Sequence, residues 1–381
     1  MNRILYLSRG GPMDGSQRQL HYLVSLLGPE YEPRVVCNTP GPFADHLRES
    51  GISTAVLPLR PWRGFPSALC RYLDAERLVA FAKPLGIALV HSSDIWLDGY
   101  LLWVAKRLGV PSVLHARAPV SPREVRKHRC REATVVVAIS RRIRQNLLAG
   151  GVEPTQVVQI DDGVDLELFH PDGSEMNVLR RDFSPTGQVL IGLVGRIEPS
   201  KRQREFLLAA EHLLRDTSRS ATFFVIGEAH SREYYEQLLR DVEGGVLKGH
   251  VFFTGRREDM PRVLASLDVL VSLSGGSVMF EAMGCGRPVV LASPTGQRTL
   301  VHIQDGQTGV VVDSLGPEAL ARALVPLLDE AGMRRQIGRQ ARRWAEDKLS
   351  HKDMVAKTQR VYDDLLHTRG DSLDKDGPWR V

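Results

Sequence analysis

The chain contains VLIGLVGRIEPSKRQREFLLAA at residues 189–210 and, in a similar pattern, VLVSLSGGSVMFEAMGCGRPVV at residues 269–290. Each stretch begins with a short apolar run, continues through small residues and ends in a longer run. An apolar run bounded by turn residues predicts a buried strand, and the longer run predicts a helix. The pattern therefore predicts two strand–turn–helix units in the second half of the chain.

The turns of both units offer groups that bind phosphate. Arg196 and Lys201 follow the first strand, where both can reach one anion and stabilise a leaving diphosphate. The second turn offers the backbone of a helix start, where N–H groups bind phosphate. Its residues are Gly275, Gly276, Ser277 and Val278. Glu281 lies about one turn further into the helix and can accept hydrogen bonds from ribose hydroxyls, although a glutamate there also complements the helix dipole. Together the turns predict a nucleoside-diphosphate site.

The alternation of short β-like runs with longer helical runs extends along the whole chain. Strands are predicted at 3–7, 34–37, 54–57, 88–91, 112–115, 134–139, 157–160, 189–194, 222–226, 250–253, 268–272, 288–291 and 309–312. This alternation predicts α/β domains, each with a parallel sheet covered by helices on both faces. Ligands of such sheets bind beyond the carboxyl ends of the strands, where both phosphate-binding turns are expected. Gly, Pro and Asp turn signals predict a domain join at 163–187.

Length and composition are those of an ordinary globular protein. The 381 residues are enough for two domains, and the net charge of +5 permits an anionic partner without requiring one. The four cysteines lie far apart, so we expect reduced thiols in a cytoplasmic protein, with no disulfide framework and no zinc site. The N-terminal apolar run is too short for a signal peptide, and no run approaches the about 20 residues of a transmembrane helix. We expect any membrane contact to be peripheral and no nucleic-acid partner.

The phosphate-binding turns, with several stretches around them, resemble a known family. Gly195-Arg196 with Lys201, and EAMGCGRPVV at 281–290, are similar to the donor-site motifs of retaining glycosyltransferases with the GT-B fold, close to glycosyltransferase family 4. Further similar stretches are VVAIS at 136–140, GVDLELFHP at 163–171, VIGEA at 225–229, VFFTGR at 251–256 and DGQTGVVV at 305–312. The resemblance covers nearly the whole chain, and it is specific for fold and reaction class rather than for the sugars.

The resemblance implies a GT-B architecture, in which two Rossmann-like domains face each other across a cleft. Residues 1–172 would bind the acceptor, residues 173–351 would bind the nucleotide sugar, and a last helix at about 352–367 would cross back to the first domain. Residues 370–381 have the composition of a disordered tail. The implied enzyme is a retaining hexosyltransferase of polysaccharide, lipopolysaccharide or other glycan assembly. It would need no metal or other cofactor, and the leaving phosphate would help to deprotonate a glycan or lipid-linked acceptor.

The resemblance also implies further site residues. Gly15, after the first predicted strand, would lie near the donor phosphates, and His115, at the end of the fifth, would position the donor sugar. Arg256 would lie beside the nucleobase, whose partners are partly backbone atoms. His115, Arg196 and Lys201 form the implied catalytic set. The alternatives are an ordinary strand-to-helix turn for Gly15, a structural or solvated histidine for His115, and two solvated cations on a loop for Arg196 and Lys201.

One glutamate of the resembled family is missing. Eight positions before Glu281 the chain has Leu273. Either leucine replaces the glutamate, or a shortened loop brings Ser272 or Ser274 to its place. Because that glutamate lies by the donor sugar in the family, its loss leaves the choice of sugar and the activity itself open.

Basic residues are concentrated in one part of the first half. SPREVRKHRCRE at 121–132 has five Lys and Arg residues against two glutamates, and Arg141, Arg142 and Arg144 follow. Such a run is usually a solvated face. It also predicts contact with an anionic membrane surface or with a lipid-linked diphosphate.

Other functions fit fewer residues. A sugar-nucleotide epimerase would need several acid–base groups, and the first half offers few besides His115 and Asp94. A non-catalytic nucleotide-sugar-binding protein would keep the cations and lack the glutamate. A dehydrogenase is disfavoured because Cys37-Asn38 stand where NAD binding needs an acid. A P-loop hydrolase is excluded because the sequence has no G-x-x-x-x-G-K-(S/T) run. A group of three aspartates before the domain join predicts a turn rather than a metal site: Asp161, Asp162 and Asp165.

Overall fold

The computed structural model describes residues 1–63, 68–117, 120–171, 177–185, 189–215, 220–292, 299–300 and 302–367. Packing divides the chain into two units, Met1–Gly163 with the segment from His351 onward, and Val164–Ser350. The expected domain boundary at 172/173 and the expected tail at 370–381 lie outside the described residues. Within the described ranges, no helix has the length and apolar character needed to cross a membrane.

The first unit contains a seven-stranded parallel sheet. Its strands are β1 (Asn2–Gly10), β2 (Tyr31–Thr39), β3 (Ser53–Val56), β4 (Ile87–Ser92), β5 (Ser112–Ala116), β6 (Val135–Ala138) and β7 (Val157–Gln159). They lie in the order β3-β2-β1-β4-β5-β6-β7, and all neighbours are parallel. Successive residues face opposite sides of the sheet, so Leu89 and Val90 of β4 belong to different core clusters. The sheet is therefore buried on both faces, as its apolar runs predict.

In the described part of the first unit, six helices connect these strands. They are α1 (Gly15–Ser25), α2 (Pro42–Glu49), α3 (Ala68–Ala82), α4 (Asp98–Leu108), α5 (Pro122–Lys127) and α6 (Arg141–Ala149). Their ends follow local chemistry. Ser121 and Glu124 form a capping box at the start of α5, each side chain bonding the other's backbone N–H. Gly109 ends α4 with a φ of 66°, a left-handed conformation that glycine adopts without strain.

The second unit repeats this architecture. Its strands are β8 (Val189–Val194), β9 (Ala221–Ile226), β10 (Val251–Gly255), β11 (Val269–Ser272), β12 (Val289–Ala292), β13 (Thr299–Leu300), β14 (Ile303–Gln304) and β15 (Gly309–Val312). Six of them form a parallel sheet in the order β10-β9-β8-β11-β12-β15, and β13 and β14 form a separate antiparallel pair. Leu190 and Ile191 of β8 again point into different clusters.

The helices of the second unit surround this sheet. They are α7 (Val178–Phe183), α8 (Gln203–Leu214), α9 (Arg232–Glu243), α10 (Met260–Ser266), α11 (Val278–Gly284), α12 (Pro317–Asp329) and α13 (Ala331–Lys348). Helix α8 follows β8 and buries Phe206, Leu207 and Leu213 against one face. Helix α11 follows β11 and buries Met279 and Phe280 in the cluster of the other face.

The last helix, α14 (His351–His367), belongs to the first unit. Its buried residues Met354, Val355, Val361 and Tyr362 pack in the cluster that contains Tyr6 of β1. The expected return of the C-terminal helix to the first domain is confirmed.

In each sheet the strand order reverses beside one central strand. β1 lies between β2 and β4, and β8 lies between β9 and β11. At such a switch point the following helices cover opposite faces, which leaves a crevice beyond the carboxyl ends of the strands. The two phosphate-binding turns follow β8 and β11, so the fold brings both to the switch point of the second sheet.

Candidate active site

The turn after β8 reaches the turn after β11 through Lys201. A short 3₁₀ turn, Pro199–Lys201, follows the strand, and the Nζ of Lys201 donates a hydrogen bond of 3.2 Å to the Oγ of Ser274. Ser274 is exposed and directly precedes Gly275. The two segments, which are more than 70 residues apart in the chain, therefore meet at one point of the sheet edge.

Arg196 has a fixed backbone and an exposed side chain. Its carbonyl oxygen accepts a 2.8 Å hydrogen bond from Nε2 of Gln203, a buried residue at the start of α8. Its guanidinium is 51% exposed and lies 3.4 Å from Oε1 of Glu198. The pKa of Glu198 is lowered by a hydrogen bond from Ser200 and by the positive charges of Arg196, His230 and Lys201. One carboxylate thus partly balances the two cations, and the Arg196 head remains open to solvent.

Backbone hydrogen bonds join the turns after β8, β9 and β10 into one continuous edge. Gly195 donates to the carbonyl of Ile226 (2.9 Å), and Gly227 donates to that of Gly255 (3.0 Å). Gly227 has a φ of 149°, and a Cβ built on it would lie 2.0 Å from the Gly195 carbonyl oxygen. Only glycine fits such a close approach of two backbones.

Arg256 lies on the same edge. It follows β10, its side chain is 47% exposed, and its Nη1 lies 3.9 Å from Oε2 of Glu228. The backbone carbonyl of Glu228 in turn accepts from the N–H of Ile197 (2.8 Å). The fold therefore places Arg256 on the edge that also holds Arg196 and Lys201, and its contact with a nucleobase stays a prediction.

The turn after β11 has an open glycine backbone. Gly275 and Gly276 have φ values of 73° and 124°, and no described atom lies within 4 Å of a Cβ built on either. Glycine is required here by the backbone conformation and not by packing. Ser277 caps α11 without a side-chain hydrogen bond, and Val278 is the first residue of this seven-residue helix. These positions present backbone and little side chain.

Glu281 lies in the first turns of α11 and is only 6% exposed. Glutamate is rarely buried without a specific partner, because removing a carboxylate from water costs several kcal/mol. A glutamate that only complemented the helix dipole would lose nothing by facing solvent. Glu281 interacts within the protein, and its contact with a ribose stays a prediction.

Leu273, at the position of the missing family glutamate, is buried in the core of the second unit and is 6% exposed. The exposed side chain next to it is that of Ser274, the partner of Lys201. A neutral hydroxyl thus stands beside the lysine at this edge.

The remainder of the EAMGCGRPVV stretch has a packing role. A Cβ on Gly338 of α13 would lie 2.1 Å from the carbonyl oxygen of Gly286. The Arg287 guanidinium donates to the carbonyl of Ala265 (2.5 Å), and Cys285 is fully buried. Glu281 is the member of this stretch whose chemistry suits a ligand.

Two predicted site residues lie in the first unit. Gly15 is the first residue of α1. The strained glycines of that turn are instead Gly10 and Gly11, with φ values of 73° and 83°, and a Cβ on Gly10 would lie 2.3 Å from the Thr39 carbonyl oxygen. A contact of Gly15 with phosphate stays a prediction.

His115 is the penultimate residue of β5 and is 1% exposed. Its Nδ1 lies 3.3 Å from Nη2 of Arg117, which pairs with Asp162. Burial lowers the pKa of His115 well below its ordinary value, and the charge of Arg117 adds to this. Burial also raises the pKa of Asp162, against the opposing effect of Arg117. His115 is therefore a neutral imidazole at physiological pH.

Sequence reasoning missed the residues around His115. Its Nδ1 also lies 3.3 Å from Nε2 of His91, whose Nδ1 lies 2.5 Å from the hydroxyl of Tyr362. His91 and Tyr362 are 271 positions apart, so no local pattern connects them.

The carboxylates of the turn before the domain join serve local structure, since Asp162 pairs with Arg117 and Asp165 accepts from the backbone N–H of Glu167.

Comparison with known proteins identifies the family. Residues 13–168 match the model described as "Glycosyltransferase Family 4", and residues 188–330 match "Glycosyl transferases group 1". A D-inositol 3-phosphate glycosyltransferase of Thermobifida fusca is 30% identical over 332 residues, which span 78% of this chain and 75% of that protein. The same-named protein of Salinispora tropica is 29% identical over 377 residues, 90% of this chain and 75% of that protein.

Solved structures agree in fold. Anabaena Alr3699/HepE, crystallised in complex with UDP-glucose, has a TM-score of 0.83 at 19% identity, with 96% of this chain and all of that chain covered. Sucrose-phosphate synthase from Thermosynechococcus elongatus has a TM-score of 0.76 at 17% identity, with 97% and 100% covered. The chain thus belongs to glycosyltransferase family 4 and is a glycosyltransferase built from the two Rossmann-like domains of the GT-B fold.

Proposed function

We propose that this glycosyltransferase transfers a sugar from a nucleoside-diphosphate sugar to a hydroxyl acceptor, with retention of the anomeric configuration and without a metal ion. The observation that supports the donor site is the contact between Lys201 and Ser274, which joins the two phosphate-binding turns at the switch point. Arg196 adds a second, open cation beside it. Cations fixed where a diphosphate gains charge stabilise it as a leaving group, a role that a metal ion fills in other enzymes.

The proposed reaction takes place on one face of the sugar. The acceptor oxygen bonds to the anomeric carbon from the side of the leaving diphosphate while the bond from that carbon to the phosphate oxygen breaks. The acceptor proton passes to a phosphate oxygen. Arg196 and Lys201 stabilise the negative charge of the diphosphate, and His115, which stays neutral, positions the sugar and takes no proton. Glu281 binds the ribose, and Gly15, Arg256 and the backbone of Gly275–Val278 complete donor binding.

Relatives suggest the substrates to test first. UDP-glucose is bound in the Anabaena structure, so uridine is the first base to test. Curated relatives are named for D-inositol 3-phosphate, so this phosphorylated cyclitol is the first acceptor to test, before glycan and lipid-linked acceptors of polysaccharide or lipopolysaccharide assembly. An anionic acceptor fits the excess of Lys and Arg at 121–144.

An epimerase is less well supported than a transferase. It would need further acid–base groups beside His115, and Asp94 is the nearest candidate by sequence. The Asp94 carboxylate instead pairs with Arg9 (2.5 Å) and accepts from the backbone N–H of Trp96 (2.7 Å). Both interactions serve local structure, which leaves Asp94 poorly suited to proton transfer.

The donor site is tested by thermal unfolding with UDP, GDP, ADP, dTDP and their common sugar conjugates. A ligand at 100 times its Kd stabilises the folded protein by about 2.7 kcal/mol. We expect a clear rise in Tm with one nucleotide series, and its loss in Lys201→Ala. A rise that survives in both Lys201→Ala and Arg196→Ala would contradict the phosphate assignment. No rise with any compound would refute the nucleotide site and favour a degenerate, non-catalytic member of the fold.

Turnover gives the second test of the same residues. Arg196→Ala and Lys201→Ala should each lower kcat/KM at least about tenfold, equivalent to about 1.4 kcal/mol of transition-state stabilisation. Arg204→Ala is the matched control, because Arg204 lies on α8 with a 56% exposed side chain and only a 3.9 Å contact to Asp241. It should leave kcat/KM unchanged.

Retention and metal independence have their own measurements. The anomeric coupling constant of the product, measured by NMR before equilibration, should match that of the donor sugar. Turnover should be unaffected by EDTA. An inverted product would refute the one-face reaction, and loss of activity restored by Mg²⁺ or Mn²⁺ would refute metal independence.

We also propose peripheral contact of the first unit with an anionic membrane surface. Exposed cations follow one another on α5, the turn after it and α6: Arg123, Arg126, Lys127, Arg131, Arg141 and Arg142. None of these six forms an ion pair with a carboxylate in the part of the chain that the structure describes. Each cation near an anionic surface contributes about 1 kcal/mol.

Flotation with vesicles tests this contact. The protein should float with phosphatidylglycerol vesicles at low salt and remain below with phosphatidylcholine vesicles. The double variant Arg126→Glu/Lys127→Glu should lose flotation. Arg335→Glu/Arg339→Glu, which makes the same charge change at exposed positions of α13, is the control. Equal loss in both variants would show a dependence on net charge only and would refute this surface.

A further inference from the structure

Four buried side chains form a polar chain through the core of the first unit. The Tyr6 hydroxyl lies 3.1 Å from that of Tyr362, which lies 2.5 Å from Nδ1 of His91. Nε2 of His91 lies 3.3 Å from Nδ1 of His115. All four residues are at most 1% exposed. The chain runs from β1 through α14 and β4 to β5, so the C-terminal helix supplies one of its links.

Arg117 fixes the proton of His115. Its Nη2 lies 3.3 Å from Nδ1 of His115, and a guanidinium can only donate hydrogen bonds. Nδ1 of His115 must therefore be an acceptor. A neutral imidazole has one protonated nitrogen, so the proton of His115 is on Nε2.

The remaining protons follow from this one. Nε2 of His91 faces the acceptor Nδ1 of His115, and two lone pairs would repel, so Nε2 of His91 is protonated. Nδ1 of neutral His91 is then an acceptor and takes the hydroxyl proton of Tyr362. The Tyr362 oxygen accepts in turn from Tyr6. Every donor in the chain points toward His115, and the single lone pair of its Nδ1 is shared by the donors of His91 and Arg117, each at 3.3 Å.

The surroundings keep both imidazoles neutral. Burial and the charge of Arg117 lower the pKa of His91 to about 3 and that of His115 well below its ordinary value. Arg117 is the cation that faces them, and Asp162 balances it. The other titratable groups packed on the chain are the tyrosines Tyr6, Tyr31 and Tyr362, whose pKa values are raised by burial. This assignment of protons to the four side chains, the proton order, is therefore constant across the physiological pH range.

The polar chain of four side chains ends at Nε2 of His115, which is a hydrogen-bond donor. Nε2 of His115 is buried and, among the described residues, no acceptor bonds to it. A buried donor left unsatisfied is unfavourable, because it has lost its hydrogen bonds to water. His115 lies at the carboxyl end of β5, the edge at which sheets of this kind bind ligands. A ligand oxygen at Nε2 would satisfy the donor.

We infer that Arg117, His91 and Tyr362 are positioning residues: Arg117 places the proton of His115 on Nε2, and His91 and Tyr362 support that tautomer, so that His115 donates a hydrogen bond to a hydroxyl oxygen of the donor sugar. The identity of that oxygen rests on the proposed function. The proton order does not, since it follows from contacts within the first unit.

Nuclear magnetic resonance of full-length protein labelled with ¹⁵N-histidine tests the proton order without substrate. Long-range ¹H–¹⁵N spectra distinguish Nε2–H from Nδ1–H, and His91→Gln and His115→Gln assign the signals. We expect both residues as Nε2–H from pH 5.5 to 8. Tyr362→Phe removes one of the two hydrogen bonds that support the His91 tautomer and leaves the one to His115, so the His91 signals should shift towards a mixture of both tautomers. In turnover of UDP-glucose with D-inositol 3-phosphate, kcat should fall about three- to tenfold with KM changed less than about twofold.

Tyr6→Phe is the matched control. It removes a hydroxyl from the same cluster, but one that donates only to Tyr362, so the histidine tautomers and kcat should be unchanged. A His115 signal of the Nδ1–H type in the wild type, or an equal effect of the two Tyr→Phe variants on the tautomers, would overturn the inference. Absence of turnover in the wild type with the expected tautomers present would refute the substrates and leave the proton order intact.

Discussion

Glu281 is a buried glutamate that is predicted to bind the ribose of the nucleotide. The residue is only 6% exposed, on a helix that a first-turn glutamate at the surface would stabilise equally well. In the proposed site, ribose hydroxyls donate to this carboxylate when a nucleotide binds. Hydrogen bonds to a charged group are worth about 1.5–3 kcal/mol.

Glu281→Gln should therefore raise the Kd for the nucleotide at least about tenfold while the urea midpoint of unfolding changes little. Titration calorimetry with UDP measures the first quantity and circular dichroism the second. Glu318→Gln, at the exposed first turn of α12, removes the same charge from a helix start and should leave the Kd unchanged. Equal Kd values in the wild type and Glu281→Gln would return Glu281 to a helix-dipole role.

At the scale of single residues, the sequence predicted which side chains follow the strands but not which of them meet. Arg196 and Lys201 were predictable because they follow an apolar run. The contact of Lys201 with Ser274 depends on β8 and β11 being neighbours, a property of strand order. The chain from Tyr362 to His115 was not predictable, since aromatic and histidine residues in apolar runs read simply as core.

At the scale of elements, α13 and the turn that follows α11 approach closely because two glycines meet. Gly338 of α13 lies against the backbone of Gly286, and a Cβ there would be 2.1 Å from the Gly286 carbonyl oxygen. Helix α13 contains a second glycine, Gly332, which is exposed and has no described atom within 4 Å of a built Cβ. Replacing glycine by alanine in α13 should therefore lower the stability of the protein at position 338 and not at position 332.

Gly338→Ala should destabilise the protein by about 1–3 kcal/mol, because α13 and the turn after α11 must separate to admit the methyl group. Gly332→Ala should be neutral or stabilising by up to about 1 kcal/mol, since alanine has the higher helix propensity. Urea unfolding followed by circular dichroism compares the two variants. If both gave the same change in midpoint, the close approach of α13 and that turn would be wrong.

The periodicity of the sequence was sufficient to locate most elements. The predicted strands 189–194 and 309–312 coincide with β8 and β15. β1 extends to Gly10, beyond the predicted end at residue 7, because Ser8 and Gly10 still pair with β2 although the apolar run has ended. The pair β13–β14 has two residues per strand, too few for any periodicity.

At the scale of the whole molecule, stability should depend on pH through the buried histidines. The pKa of His91 in the folded state is about 3, well below the about 6.5 of an unfolded histidine, and His115 is shifted in the same direction. Below pH 6.5 the unfolded chain binds more protons than the folded one, so the free energy of unfolding falls as the pH is lowered. Each of the two histidines contributes up to about 1.4 kcal/mol per pH unit.

Urea unfolding at pH 7.5, 6.5 and 5.5, followed by tryptophan fluorescence, measures this dependence. We expect little change between pH 7.5 and 6.5 and a loss of stability below, with a shallower slope in His91→Gln. An identical slope in wild type and His91→Gln would mean that His91 is protonated in the folded state.

The order of synthesis gives α14 one more consequence. The ribosome completes the first 163 residues long before it makes the helix that packs on them, and the whole second unit lies between. At about 5–20 residues per second, the apolar surface around Tyr6 stays uncovered for about 10–40 s of translation. The first unit to emerge is thus the last to finish folding, and a nascent chain stalled before residue 351 would expose that surface to chaperones.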